Sequence, residues 1–118
     1  MVQLDPGDFL PLTETTFYIL LSLAEGNKHG YGILKDAEAL SEGRVKMSTS
    51  TLYTAISRLQ DQGMIARLED GVEADSGPGL PRKAYRLTEL GWRVFEAETG
   101  RMQALIHSAQ LRMKEDAA

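Results

Sequence analysis

The spacing of apolar residues along the chain predicts two helices in its first third. A helix is expected from Thr13, a good N-cap, to Gly26, and it is apolar almost all round, which is typical of a central buried helix. A second helix is expected from about His29 to Leu40, where apolar residues recur every three or four positions. Gly30 and Gly32, near its start, suit a crowded helix start where another backbone passes close.

The third predicted helix separates its apolar and hydroxyl-bearing residues onto opposite faces. The stretch STSTLYTAISRLQDQGMI, residues 48–65, can be capped by Ser48 or Thr49 and ended by Gly63. Its apolar face comprises Leu52, Ala55, Ile56 and Leu59. Its opposite face comprises Ser50, Tyr53, Thr54, Ser57 and Asp61. Hydroxyl groups, rather than the charges of Glu and Lys, are an unusual choice for a face that only needs solvation.

After residue 63, the pattern changes from the helical period to an alternation of apolar and polar residues. Strands are expected at 64–69 and 82–87, joined by a tip at 70–81 that is rich in Gly, Pro and Asp. A two-stranded hairpin is marginal in water, so it is expected to pack on the helices. A long last helix is expected from about Glu89 to Lys114, with Thr88 as its N-cap.

The order of these elements is that of a winged helix-turn-helix. Three helices, a strand, a hairpin tip, a second strand and a helix follow one another. The predicted fold is mainly α with a two-stranded β-hairpin. Within 118 residues, enough for one compact domain, residues 1–88 form the expected DNA-binding unit and 89–118 an added C-terminal dimerisation helix.

The middle of the chain carries the positive charge that a nucleic-acid partner requires, although the net charge of the whole chain is negative. The net charge is −4, which argues weakly against such a partner. Residues 1–43 carry two basic and seven acidic residues, whereas residues 44–93 carry eight basic and six acidic ones, a net of +2. The positive part therefore coincides with the third helix and the wing. Charges scattered over a solvated surface are the alternative explanation.

Short hydroxyl side chains suit a helix that enters the major groove of DNA, which is only about 12 Å wide. They can bond phosphates or base edges, and cations beside them can meet phosphates. The expected DNA contacts are Lys46, Ser50, Thr51, Tyr53, Thr54, Ser57 and Arg58 at the third helix, and Arg82, Lys83 and Arg86 on the wing. The alternative is that the hydroxyls are caps and solvated surface. Tyr53 can either bond a phosphate or lay its ring against the second helix.

Three stretches of the sequence resemble the PadR family of bacterial transcriptional regulators. They are LTETTFYILLSLAEGNKHGYGI, STSTLYTAISRLQDQGMI and GPGLPRKAYRLTELGWRVF, and the resemblance covers about residues 12–106. It implies a winged helix-turn-helix that binds operator DNA, and it assigns DNA contact to Thr51 and Tyr53. Family members usually have Gly before the Thr-Leu-Tyr motif and Pro after it, where this chain has Ser50 and Thr54. The family's operator sequence is therefore not carried over.

The last helix is longer than the rest of the chain can cover, since ~26 residues of helix span ~39 Å. A two-fold dimer would bury the apolar stripe along its distal half and present two third helices to successive major grooves. The expected interface residues are Phe95, Met102, Leu105, Ile106, Ala109 and Met113. Glu98 and Arg101 interrupt the stripe and could pair across the interface. An intrachain core stripe is the alternative.

The sequence offers little for chemistry other than binding. It has no cysteine and no cluster of residues with metal-ligand spacing, so no metal and no cofactor are expected. Without a nucleophile elbow or a phosphate loop, an enzyme is not expected either. Simple packing is the favoured role of Trp92. The resemblance leaves a small aromatic effector as the alternative, because aromatic residues near the dimer interface bind flat ligands in some family members.

The expected function is that of a transcriptional regulator that works as a homodimeric repressor. It would bind a palindromic operator on double-stranded DNA through the helix at 49–62 and the wing at 64–87. The alternative, which the net acidity favours, is a winged-helix protein-interaction module without sequence-specific DNA binding. The longest strongly apolar run, residues 17–24, is too short to span a bilayer and the start has no signal-peptide pattern, which predicts a cytoplasmic protein with no membrane partner.

Overall fold

Four α-helices surround a small antiparallel sheet in the part of the chain that the structure describes. The structure is a computed structural model and describes residues 4–68 and 83–116, without the side chains of 115 and 116. In chain order the elements are a 3-10 helix at Pro6–Phe9, α1 at Glu14–Glu25, β1 at Lys28–His29, α2 at Gly30–Leu40, α3 at Thr49–Asp61, β2 at Ile65–Arg67, β3 at Ala84–Leu87 and α4 at Glu89–Asp116. The expected hairpin tip and Arg82 lie outside the described residues.

Hydroxyl side chains begin three of the helices, as the sequence predicts. The Oγ1 of Thr13 accepts the N–H of Thr16 at 3.1 Å at the start of α1, and the Oγ of Ser48 accepts the N–H of Thr51 at 3.1 Å at the start of α3. The Oγ1 of Thr88 does the same for α4, where it accepts the N–H of Gly91 at 3.0 Å. Each bond satisfies a backbone donor that the first helical turn leaves unpaired.

The sheet has three strands among the described residues, where the sequence interpretation had two. Their order is β1-β3-β2, and β3 pairs antiparallel with both neighbours. The pair β2–β3 is the expected hairpin, with Ile65 opposite Leu87. The additional strand β1 consists of the two residues between α1 and α2, with His29 opposite Ala84. This third strand ties the wing to the start of α2.

The core lies where α1, α2, α3 and the beginning of α4 meet. The expected inner face of α3 is confirmed, because Leu52, Ala55, Ile56 and Leu59 are all buried. They pack with Ile19 and Leu20 of α1, Ile33 of α2 and Val94 of α4. Gly91 allows α4 to approach β2, since a Cβ at this position would overlap the backbone carbonyl of Met64.

The segment before α1 also packs on the body of the protein, a contact that the sequence patterns do not predict. Phe9, Leu10 and Leu12 lie against the core, and the 3-10 helix contacts α4. In the described ranges, no helix is both long and apolar enough to cross a membrane.

Glu98 corrects one expectation about α4. Its side chain is 1% exposed and accepts the N–H of Leu12 at 2.8 Å. It also binds Arg101 of its own helix, whose Nη2 donates at 3.0 Å. Glu98 is therefore not available to a dimer interface, because its carboxylate is buried and binds Leu12 and Arg101 within one chain.

Candidate nucleic-acid interface

The outer face of α3 is exposed over its whole length and carries the expected hydroxyl groups. Ser50, Tyr53, Thr54 and Ser57 are exposed, directly opposite the buried apolar face. With Arg58 and Asp61 they line a shallow depression of about 600 Å³. We call the exposed side chains Ser50, Tyr53, Thr54 and Ser57 the hydroxyl face of α3.

Capping uses some of the hydroxyls at the start of α3, and others keep their hydrogen-bonding capacity. Ser48 is the cap, as expected, and its Oγ also donates to the Oγ1 of Thr51 at 2.9 Å. The Oγ atoms of Ser48 and Ser50 are 3.3 Å apart. For Thr54 and Ser57, the described part of the chain shows no side-chain hydrogen bond. These two hydroxyls are therefore the most available to a partner.

Tyr53 takes the second of the two roles that the sequence left open, because its ring lies against the start of α2. A Cβ added to Gly30 would overlap the Tyr53 hydroxyl, so glycine leaves room for this contact. The expectation that another backbone crowds Gly30 and Gly32 is wrong, because the atoms closest to both positions belong to side chains. Tyr53 is still 39% exposed and lines the outer depression of α3. Tyr53 also lies near the buried Tyr85 of β3, and burial, followed by the influence of Tyr53, raises the pKa of Tyr85.

Four of the expected basic residues are described, and all of them are exposed: Lys46, Arg58, Lys83 and Arg86. Arg58 lies on the flank of the hydroxyl face. Lys83 precedes β3, and the Nη1 of Arg86 donates to the carbonyl of Leu87 at 3.3 Å. Side chains do not alternate strictly along β3, because Ala84 and Tyr85 are both buried and only Arg86 of this strand is exposed.

Two other cationic side chains near the helix-turn-helix form ion pairs within the chain. Arg44, before α3, binds Glu14 at the start of α1. Lys28 in β1 binds Asp36 and also Glu25, the latter at 3.0 Å. Burial lowers the pKa of Lys28, but the bonds to the two carboxylates outweigh it and the pKa is raised. Lys28 is therefore a structural cation that fixes β1 to α2.

A second depression lies between the first turn of α1 and α3, with a volume of about 420 Å³. We call it the hydroxyl groove, and its lining residues are Thr13, Thr15, Thr16, Ser50, Thr51, Thr54, Ala55 and Arg58. The sequence interpretation did not include Thr15, because α1 was expected to be buried all round. The signal that could have identified it is the run of three threonines within residues 13–16.

The distal half of α4 exposes the apolar residues that the sequence assigns to a dimer interface. Leu105 and Ile106 are each 56% exposed and Met113 is 68% exposed, while Met102 is half-buried and Ala109 exposed. Phe95, from the same expected set, is half-buried and stacks on Phe17 of its own chain, with the ring centroids 5.3 Å apart.

Trp92 packs edge-on against Phe95, with the ring centroids 6.2 Å apart, and remains partly exposed. This contact is the packing role that the sequence favours for the tryptophan. Within the described residues, no group of three or more His, Cys, Asp or Glu side chains could hold a metal ion.

Comparison with known proteins agrees with this geometry. The family model described as "Transcriptional regulator PadR-like family" matches residues 19–97. A PadR family transcription regulator from Clostridium difficile superposes with a TM-score of 0.68 at 19% identity, over 86% of this chain and 99% of its own. A transcriptional regulator from Clostridium thermocellum gives 0.64 at 24% identity, over 81% and 86%.

A third similar structure contains DNA. It is Bacillus subtilis PadR in complex with operator DNA, with a TM-score of 0.56 at 24% identity, over 70% of this chain and 44% of that protein. Among proteins with curated descriptions, none matches this sequence.

Proposed function

The chain belongs to the PadR-like family of transcriptional regulators, and on that premise we propose that it is a dimeric repressor that binds a palindromic operator. Its third helix, α3, enters the major groove of DNA. The wing, to which β2 and β3 belong, contacts the sugar-phosphate backbone beside that groove. Bacillus subtilis PadR has been solved with operator DNA, which supports DNA as the partner here as well.

The observation that carries the proposal is the hydroxyl face of α3. Four short or slender polar side chains are exposed on the side opposite four buried apolar ones, and no lysine or glutamate projects from this face to hold DNA at a distance. Thr54 and Ser57 have hydroxyls free for base edges. Thr51, whose Oγ1 takes part in the capping network, is proposed to contact phosphate.

Exposed cations on both sides of α3 support the electrostatic part of the interface. Lys46 precedes the helix and Arg58 flanks it, while Lys83 and Arg86 belong to the wing. Arg82 is proposed as a further wing contact, although it lies outside the described residues. Tyr53 is proposed to contact DNA through its exposed part, while its ring fixes α3 against α2.

The distal half of α4 supports the dimer. The helix has 28 residues and is therefore about 42 Å long, and its residues from 103 to 114 are exposed. Met102, Leu105, Ile106, Ala109 and Met113 recur at helical spacing on one side of it. A two-fold partner would cover this stripe, and the two α3 helices would read half-sites about one helical turn apart.

The proposed division of the chain places DNA binding in residues 1–88 and dimerisation in 89–118. Within the second part, Val94 belongs to the core of the winged helix and Phe95 stacks on Phe17. We therefore propose that the dimer contact itself begins near Met102 and that the first turns of α4 serve as its anchor.

Selection of bound duplexes from a random pool, followed by titration at several salt concentrations, tests the proposal. We expect enrichment of a two-fold symmetric sequence, and an affinity that falls steeply as salt rises because phosphate contacts release counterions. A protein-interaction module, which the net charge of −4 favours, would enrich no sequence and show no steep salt dependence. That result would contradict the proposed function.

A further inference from the structure

The hydroxyl groove between α1 and α3 is built from groups that favour an anion. Six of its eight lining residues bear a hydroxyl, one is Arg58, and the last is an alanine. None of the eight is acidic, in a chain with 17 Asp and Glu residues. The depression on the outer face of α3 differs in this respect, because Asp61 is part of it.

The acidic residue closest in sequence to the groove is neutralised. Glu14 stands between two of the groove threonines, and its carboxylate forms an ion pair with Arg44. Arg58, in contrast, has no hydrogen-bond or ion-pair partner among residues 4–68 and 83–116. The groove therefore keeps an unpaired cation, while the carboxylate closest to it in sequence is paired.

Not all of the hydroxyls are equally available. The Oγ1 of Thr13 donates to that of Thr16 at 2.9 Å, and Thr16 is buried. Thr15 lies between them in sequence, is half-buried on the groove wall, and shows no side-chain hydrogen bond within the described part of the chain. Thr15 on one wall, and Thr54 and Arg58 on the other, are thus the groups that can take a new partner.

We propose that the hydroxyl groove holds the sugar-phosphate backbone of one DNA strand, with Thr15 and Arg58 as phosphate contacts. The proposal rests on the proposed function and extends it to α1. Its main support is that the hydroxyl groove is continuous with the outer depression of α3. Both are lined by Ser50, Thr54 and Arg58. A duplex whose major groove receives the hydroxyl face of α3 brings a backbone alongside that flank.

Opposite charges placed at position 15 give a direct test. We expect Thr15→Asp to weaken binding to the selected duplex and to a scrambled one alike, by about tenfold near 0.1 M salt, and Thr15→Lys to strengthen both and steepen the salt slope by about one. Asp is favourable in the first turn of a helix, so Thr15→Asp should melt no earlier than wild type. Gln103→Glu, at an exposed position of α4, is the control for charge alone and should bind as wild type does.

Ethylation interference locates the contact. Ethylation of one or two phosphates beside each half-site should block DNA binding by the wild type. The same ethylation should not weaken DNA binding by Thr15→Val, which keeps the shape of threonine and loses its hydroxyl. An unchanged interference pattern, together with wild-type affinity of Thr15→Asp and Thr15→Lys, would overturn the proposal. If Ser57→Ala meanwhile loses sequence preference, the proposed function stands without the groove.

A small anion is the other possible occupant of the groove. Inorganic phosphate alone would then raise the melting temperature of the wild type and not that of Arg58→Gln, while both bind DNA with the same salt slope. This outcome would also overturn the proposal. A wild-type protein whose DNA binding has no salt dependence would contradict both the groove and the proposed function.

Discussion

The carboxylate of Glu98 on α4 accepts the backbone N–H of Leu12 at 2.8 Å, across 86 residues of sequence. Its other partner is the guanidinium of Arg101, one turn further along the same helix. The Arg101 bond lowers the pKa of Glu98; burial acts in the opposite direction, and the Leu12 bond adds to the lowering. One buried charge thus holds the segment before α1 against the last helix, immediately ahead of the threonines that line the hydroxyl groove.

We expect Glu98→Gln to lower the free energy of unfolding by about 1–3 kcal/mol, because the bond to Leu12 then has an uncharged acceptor. Thermal unfolding at pH 7 measures the loss, which for a domain of this size corresponds to a fall of several degrees in melting temperature. The matched control is Glu96→Gln, at an exposed position of the same helix, and it should melt within a degree or two of wild type.

The sign of the pH dependence follows from the lowered pKa of Glu98. A carboxyl group whose pKa is lowered by folding stabilises the protein fully at a pH above its ordinary pKa of 4.5. This stabilisation is lost as the pH falls through the lowered pKa of the folded state. The difference between wild type and Glu98→Gln should therefore shrink in acid. A difference that stays constant from pH 7 down to pH 3 would show that the charge of Glu98 is not what stabilises the contact.

The helices could be predicted because their signals are local. Thr13, Ser48 and Thr88 are hydroxyl residues directly ahead of helical patterns, and each caps its helix. The same holds for α3, whose buried and exposed faces follow from residue spacing alone. Exposure of the expected basic residues was equally predictable, since charged side chains are rarely buried without a partner.

The features that could not be predicted depend on contacts distant in sequence. The strand β1 is two residues long, too short for any periodic pattern, and it forms because β3 offers an unpaired edge beside it. Glu98 looks like a surface or interface residue until its partner Leu12 is known. For Tyr53 the sequence left two roles open, and only the space beside Gly30 decides that its ring lies against α2.

Lys83→Ala combined with Arg86→Ala tests the wing. We expect the pair to weaken binding to the selected and scrambled duplexes about equally and to lower the salt slope by about one for each phosphate that the protein no longer neutralises. Titrations at three or more salt concentrations measure the slope. Lys114→Ala, an exposed cation at the far end of α4, should leave it unchanged. A wing variant with the slope of wild type would argue against phosphate contacts by these two residues.

Leu105→Glu combined with Ile106→Glu tests the dimer. Both residues are exposed in the single chain, so the substitutions should leave the winged helix folded and yield a monomer that binds the operator weakly. Sedimentation at micromolar concentration measures the oligomeric state. Leu111→Glu is the matched control, because Leu111 is also exposed but lies on the opposite side of the helix. A wild-type protein that sediments as a monomer would refute the dimer outright.

The role of α3 as the recognition helix is the central claim, and alanine variants of its hydroxyl face test it most directly. Ser50→Ala, Thr54→Ala and Ser57→Ala should each change the free energy of unfolding by less than about 0.5 kcal/mol. Where the hydroxyl bonds a base edge, its removal should weaken binding to the selected duplex by roughly 1–3 kcal/mol and leave binding to a scrambled duplex almost unchanged. Thr51→Ala should weaken both, as expected of a residue that binds phosphate. The measurement is a titration of each variant against the two duplexes, beside its melting curve and that of Ser108→Ala, an exposed serine on α4. Loss of specific binding at an unchanged melting temperature is the predicted result, whereas early melting with unchanged specificity would mean that these hydroxyls are structural and that α3 does not read the operator.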